Sequence, residues 1–160
     1  MDYTLLKVAH IGALILWLGP ALGAWIAYKT IDKEPVSSVT QRLNAVFYAM
    51  VTLEHLAFAV LITSGLAMAM LGNWFDTQWL TQKLWLVLVI IIPLEIVDVV
   101  LGNWLAAKAA KKQYQGLPLN SSEQSILLIY HGPFTKLAIA LIPLSVLLVM
   151  YLAVSKQALY

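Results

Sequence analysis

Cysteine is absent from the 160 residues, which excludes disulfides, thiolate metal sites and iron–sulfur clusters. Any metal would have to be held by His, carboxylate or Met. Charge is scarce too: 11% of residues are charged, against about a quarter in soluble domains. The formal charge of +2 is too small to draw nucleic acid. No glycine loop of the phosphate-cradling kind occurs, and no nucleophile stands in a recognisable motif with a base. Neither strand alternation nor a soluble amphipathic period runs through the chain.

What is present is apolar surface, 61% of residues, gathered into four runs. A spanning helix needs ~20 largely apolar residues. The runs predict helices over about 4–28, 44–71, 83–108 and 126–154, with ends good to about two to four residues. Short polar connectors make consecutive helices antiparallel neighbours. The expectation is one all-α membrane domain over residues 1–160, an up-down-up-down bundle of four transmembrane helices in a lipid bilayer. Ala21-Leu22-Gly23-Ala24 resembles a leader cleavage site, but the run is too long and His10 and Trp17 interrupt it, so the first helix is expected to stay. Leu-Gly-Asn-Trp occurs at Leu71–Trp74 and Leu101–Trp104, at the ends of successive helices, and reads as coincidence.

Orientation follows from the basic residues. Lys29, Lys33, Arg42, Lys108, Lys111 and Lys112 flank the first and third connectors. The positive-inside rule puts these connectors in the cytoplasm and both termini outside. Trp74, Trp79 and Trp85 form an aromatic belt at the outer face.

Ionisable side chains at membrane depth cost ~2.5–3.5 kcal/mol each on insertion scales, so each needs a reason. The candidates are His10, Glu54, His55, Glu95, Asp98, His131 and Lys136. Helical rise puts Glu95 about at the midplane, with Glu54, His55, Asp98 and Lys136 within roughly 6 Å of it. His10 lies about 9 Å to the outer side and His131 about 13 Å to the inner side. Glu95 and Asp98 share a face at i, i+3, continued by Gly102, and Pro93 and Pro133 permit kinks beside the cluster.

Two readings of the cluster stand. One is a structural ion pair of Lys136 with Asp98 that fixes helix register. The other is a functional site holding a proton, a ligand or a divalent or copper ion on Glu54, His55, Glu95 and Asp98. Three histidines without cysteine also raise haem. A bis-histidine haem would need two rings at one depth, and His10 and His55 differ by about 13 Å, His55 and His131 by about 9 Å.

Gly12, Gly19 and Gly23 let the first helix approach a neighbour, with packing inside the bundle as the expectation. A homo-oligomer or larger membrane complex is compatible with the same pattern. Met50, Met68 and Met70 read as core filling, since Met68 and Met70 do not share a helical face.

The first helix reads Lys7-Val-Ala-His10-Ile, then Trp17-x-Gly19. The second ends in Ser64-Gly65-Leu66-Ala67-Met68, and Trp79-Leu80-Thr81-Gln82-Lys83-Leu84 follows. Over roughly Leu5 to Val89 this resembles the superfamily of small four-helix bacterial inner-membrane proteins that includes HemJ-type protoporphyrinogen oxidases and CopD-like copper-resistance domains, nearest its uncharacterised branch. The resemblance implies the bacterial inner membrane, haem b, and functional roles for His10 and Lys83. His10 would be an axial ligand and Lys83 a partner for a porphyrin propionate, with His55 and His131 the other candidate ligands. The expected function is a haem- or porphyrin-binding, redox-related membrane protein. The alternatives are a proton-coupled or metal-ion transport module using the midplane cluster, and a non-catalytic accessory subunit.

Overall fold

A computed structural model describes residues 2–31 and 33–159, and of these the side chains of all but Ala21 and Leu22. They form four long helices: α1 (Tyr3–Ile31), α2 (Ser38–Leu71), α3 (Gln78–Tyr114) and α4 (Ser121–Ser155). All four are long and apolar enough to cross a membrane. No strand occurs among the described residues. The Ala21–Ala24 stretch lies within α1, although the side chains of Ala21 and Leu22 are outside the described part.

The helices run further than hydropathy indicates because polar turns extend them. α2 starts at Ser38, where the Ser37 hydroxyl accepts the Thr40 N–H (3.2 Å) and the Thr40 hydroxyl accepts the Ser37 N–H (2.8 Å). α4 starts at Ser121, where the Asn120 carboxamide accepts the Glu123 N–H and the Glu123 carboxylate accepts the Asn120 N–H, both at 2.8 Å. These reciprocal pairs satisfy N–H groups that a helix start leaves open. α4 ends where Lys156 takes a left-handed backbone (φ 53°) and donates to the Leu152 carbonyl.

α3 and α4 carry wide turns with i to i−5 hydrogen bonding over Val87–Ile91, Val99–Ala106 and Tyr130–Phe134. Proline explains two of them. A helical proline lacks an N–H and its ring collides with the carbonyl four residues back. The wide turn before Pro93 carries that carbonyl aside, and Ile92 donates to Val87 instead. Pro133 sits inside the turn on α4, where both the N–H and the hydroxyl of Thr135 go to the Tyr130 carbonyl. Each wide turn shifts the helical phase, and so changes which side chains face inward.

α1 buries Leu6, Ala13, Trp17, Ala24, Tyr28 and Ile31, a seam at coiled-coil-like spacing. The seam packs along α2 in opposite order: His10 meets Leu61 and Ser64, Trp17 meets Phe58, and Tyr28 meets Phe47. α3 packs chiefly on α4 and touches α2 through its C-terminal half, while α1 meets α4 over a smaller area than it meets α2. Tyr3, Lys156 and Leu159 come to the connector between α2 and α3 and the start of α3. Tyr3 and Trp74 stack edge to face at 6.0 Å, the Lys156 ammonium lies 5.2 Å from the Trp74 ring centre, and the Leu159 N–H donates to Gln82 (2.8 Å).

Large apolar side chains cover the outside, Leu128 at 73% and Val154 at 83% exposure among them. Such a surface is suited to lipid rather than water. Gly12, Gly19 and Gly23 correct an expectation. A Cβ on any of the three would meet no atom within 4 Å, because the buried seam, not the glycine face, packs on α2. The two Leu-Gly-Asn-Trp copies have different settings: Gly72 caps α2, and Gly102 lies mid-helix.

Candidate functional site

Three polar stations lie along α2, each built around a histidine. Ser64 and Leu61 serve His10, His55 acts for itself, and Tyr48 serves His131. Helical rise spaces these stations by roughly 10 Å, so the three imidazoles stay at separate levels.

The first station is the His10 pocket. His10 Nδ1 lies 2.9 Å from the Leu61 carbonyl and 3.1 Å from the Ser64 hydroxyl. That hydroxyl gives its hydrogen to the Val60 carbonyl (2.6 Å), so it faces His10 as an acceptor. Two acceptors on Nδ1 assign the N–H to Nδ1 and leave a lone pair on Nε2. His10 lines a largely apolar cavity of about 290 Å³ to which all four helices contribute. Lys83 lines it as well, and its charge acts on the imidazole. Among the described residues Lys83 forms no ion pair. Leu88, Met150 and Val154 line the cavity and are exposed, so it opens on the bundle surface. Gly65 makes room for the ring, since a Cβ there would lie 2.9 Å from His10 Cε1.

The second station is the carboxylate cluster. Glu95 is 6% exposed and both its oxygens are engaged: Trp17 Nε1 donates to one at 2.7 Å, and His55 Nδ1 lies 3.0 Å from the other. The Tyr130 phenol lies beside the Asp98 carboxyl. Gly102 permits this, because a Cβ there would stand 2.6 Å from the Tyr130 hydroxyl. Glu54 is 8% exposed, and its Oε1 has no hydrogen-bond partner. Glu54, Glu95 and Asp98 line one cavity of about 220 Å³, and Trp17 borders both this cavity and the His10 pocket.

The third station encloses His131, 4% exposed, within aromatic rings. It stacks on Tyr28 (centroids 3.5 Å apart, planes 9° apart) and its Nε2 lies 3.1 Å from the Tyr48 hydroxyl. Tyr130 and Phe47 complete the enclosure.

The structure therefore divides the residues marked by the sequence. His10 and Lys83 meet in one cavity. Glu54, His55, Glu95 and Asp98 cluster in another place, and His131 is apart from both. Lys136, expected as the buried counter-charge of Asp98, is exposed and forms no ion pair among the described residues. The wide turn at Tyr130–Phe134 shifts the phase of α4 and presents Tyr130 to Asp98 instead. Among the described residues no three His, Asp or Glu side chains converge as metal ligation requires. Trp17, Ser64 and Tyr130 were missed as site residues. Trp17 stands two helical turns after His10, and Tyr130 adjoins His131, so polar-tipped aromatics near intramembrane ionisable residues were the available signal.

Length, composition and fold together define a multi-pass, all-helical protein of the membrane class. Beyond that class, no family model, curated protein or solved structure matches the chain.

Proposed function

We propose that this chain is a bacterial inner-membrane protein that binds haem or a related porphyrin through His10 and serves a redox-related role. In this reading the four helices cross the bilayer up-down-up-down, the basic first and third connectors lie in the cytoplasm, and both termini lie outside. The observation that carries it is the His10 imidazole, with Nδ1–H on the Leu61 carbonyl and a free Nε2 at an apolar cavity beside an unpaired Lys83. An imidazole whose second nitrogen is held by a carbonyl is oriented and polarised for ligation.

The donor set suits an apolar ring with acidic substituents. His10 would hold the iron, the Leu61 carbonyl would orient the imidazole, and Lys83 would pair with a propionate. The cavity is at the small end of ligand sites, which run ~300–1,000 Å³. Its opening on the bundle surface lets a larger ring extend among the acyl chains. Bound haem supplies one-electron transfer. The geometry supports one axial histidine, since His55 and His131 are committed at other levels.

The test is the reduced-minus-oxidised spectrum of protein purified in detergent from haem-supplied cells. Soret and α bands are expected in the wild type, lost in His10→Ala and kept in His55→Ala and His131→Ala. A colourless wild-type preparation overturns the reading.

A second reading is favoured by the unpartnered Glu54 oxygen: proton-coupled transport through the cluster of Glu54, His55, Glu95 and Asp98. Asp98→Asn would then abolish uptake in loaded vesicles, and unchanged uptake counts against it.

A further inference from the structure

We propose that the cavity bounded by Glu54, Glu95 and Asp98 binds a small organic ammonium ion. The inference goes beyond the His10 reading and uses a different cavity. It names a ligand class for the transport reading but stands or falls by binding alone.

The charge distribution is the first argument. Glu95 is matched by the Trp17 indole and His55, and Asp98 has the Tyr130 phenol beside it. Glu54 is left over, more than nine-tenths buried, with an oxygen that meets no donor. Among the described residues no Lys, Arg or His lines this cavity. A buried carboxylate without a donor is costly, and a cation in the cavity would offset that cost.

The walls are the second argument, and they select the kind of cation. Calcium takes six to eight oxygen ligands, and magnesium demands an octahedron of oxygens and water. This cavity offers carboxylates on one side only, and no three of the cluster's acidic or imidazole groups converge. Apart from Thr135, whose hydroxyl donates to the Tyr130 carbonyl, the remaining surface is apolar and aromatic, with Trp17, Trp25 and Tyr130 on it. Indole and phenol rings attract alkylammonium groups through their π faces, more strongly when desolvated. A volume of about 220 Å³ holds a compact alkyl or aryl ammonium head. α1 and α4 both line the cavity and pack on each other over a small area.

The probe is phenyltrimethylammonium, paired with tert-butylbenzene, its neutral isostere with carbon in place of the charged nitrogen. Trp17 and Trp25 line the cavity, so intrinsic fluorescence of the full-length protein in detergent reports occupancy. Saturable quenching is expected for the ammonium and about tenfold or weaker affinity for the isostere. Glu54→Gln should weaken the ammonium by about tenfold or more. Asp98→Asn provides a second variant, with a thermal melt of each establishing that it is folded. His10→Ala should leave ammonium binding unchanged, which separates this site from the His10 pocket. Equal affinity for the isostere, an unaffected Glu54→Gln, equivalent quenching by sodium or potassium alone, or no saturable binding would each overturn the proposal.

Discussion

Trp17 on α1 donates its indole N–H to Glu95 on α3 at 2.7 Å, joining two residues that are 78 apart in sequence. The bond also closes the wall between the two cavities, since Trp17 borders both. Replacing Trp17 by Phe keeps an aromatic ring but leaves one buried Glu95 oxygen without its donor. Loss of such a bond in a buried site costs about 1–3 kcal/mol. Thermal unfolding in detergent should show that loss for Trp17→Phe. Because both changes act on one bond, the double variant with Glu95→Leu should lose less than the sum of the single losses. Strict additivity would mean that the bond contributes nothing.

Two helical glycines should behave in opposite ways. Gly102 lies under the Tyr130 ring, where a Cβ would stand 2.6–2.9 Å from three ring and hydroxyl atoms. Gly102→Ala must move Tyr130, which is 4% exposed and lies beside Asp98, so about 1–3 kcal/mol should be lost. Gly19→Ala meets nothing within 4 Å and should be neutral to within about 0.5 kcal/mol in the solubilised monomer. Melting curves of the two variants side by side decide the matter. A marked loss in Gly19→Ala would show a neighbour on that face.

The four apolar helices were legible because a bilayer needs a long apolar run, and that signal is independent of tertiary contacts. Helix ends were less legible by hydropathy, yet Ser37-x-x-Thr40 and Asn120-x-x-Glu123 carried the capping pattern that marks them. Depth along a helix was readable as well, and Glu54, His55, Glu95 and Asp98 do cluster. Azimuth was not. Depth counts residues, whereas facing depends on phase, and the wide turns at Val87–Ile91, Val99–Ala106 and Tyr130–Phe134 alter phase without altering composition. Lys136 is the consequence: expected inside the bundle, it is exposed.

That misplacement has a measurable outcome. If Lys136 faces outward, removing it should not disturb the carboxylate cluster. Lys136→Leu is expected to be neutral to within about 0.5 kcal/mol, or stabilising, in the membrane. Its effect should add to that of Asp98→Asn, with a coupling below about 0.5 kcal/mol. A buried pair would behave differently, each single change costing about 3–5 kcal/mol and the joint apolar replacement far less. Thermal midpoints of the two single variants and the double variant separate these cases.

The last prediction concerns how His10 is held. Gly65 on α2 lets the imidazole lie against the helix backbone: a Cβ would come within 2.9 Å of Cε1 and 3.4 Å of Nδ1. Gly65→Ala therefore has to push the ring away from the Leu61 carbonyl and the Ser64 hydroxyl. The displaced atoms belong to the tip of a side chain beside an open cavity, so the fold should lose no more than about 1 kcal/mol. Ligation should suffer much more, because altering the group that orients a histidine ligand typically costs about 10–100-fold in affinity. The expected result is a Gly65→Ala protein that melts near the wild type but needs about tenfold or more haem for half-saturation of its Soret band. Ser64→Ala should give a smaller shift, since the Leu61 carbonyl still fixes the tautomer. Wild-type haem affinity in Gly65→Ala would show that the orientation of His10 does not govern the site.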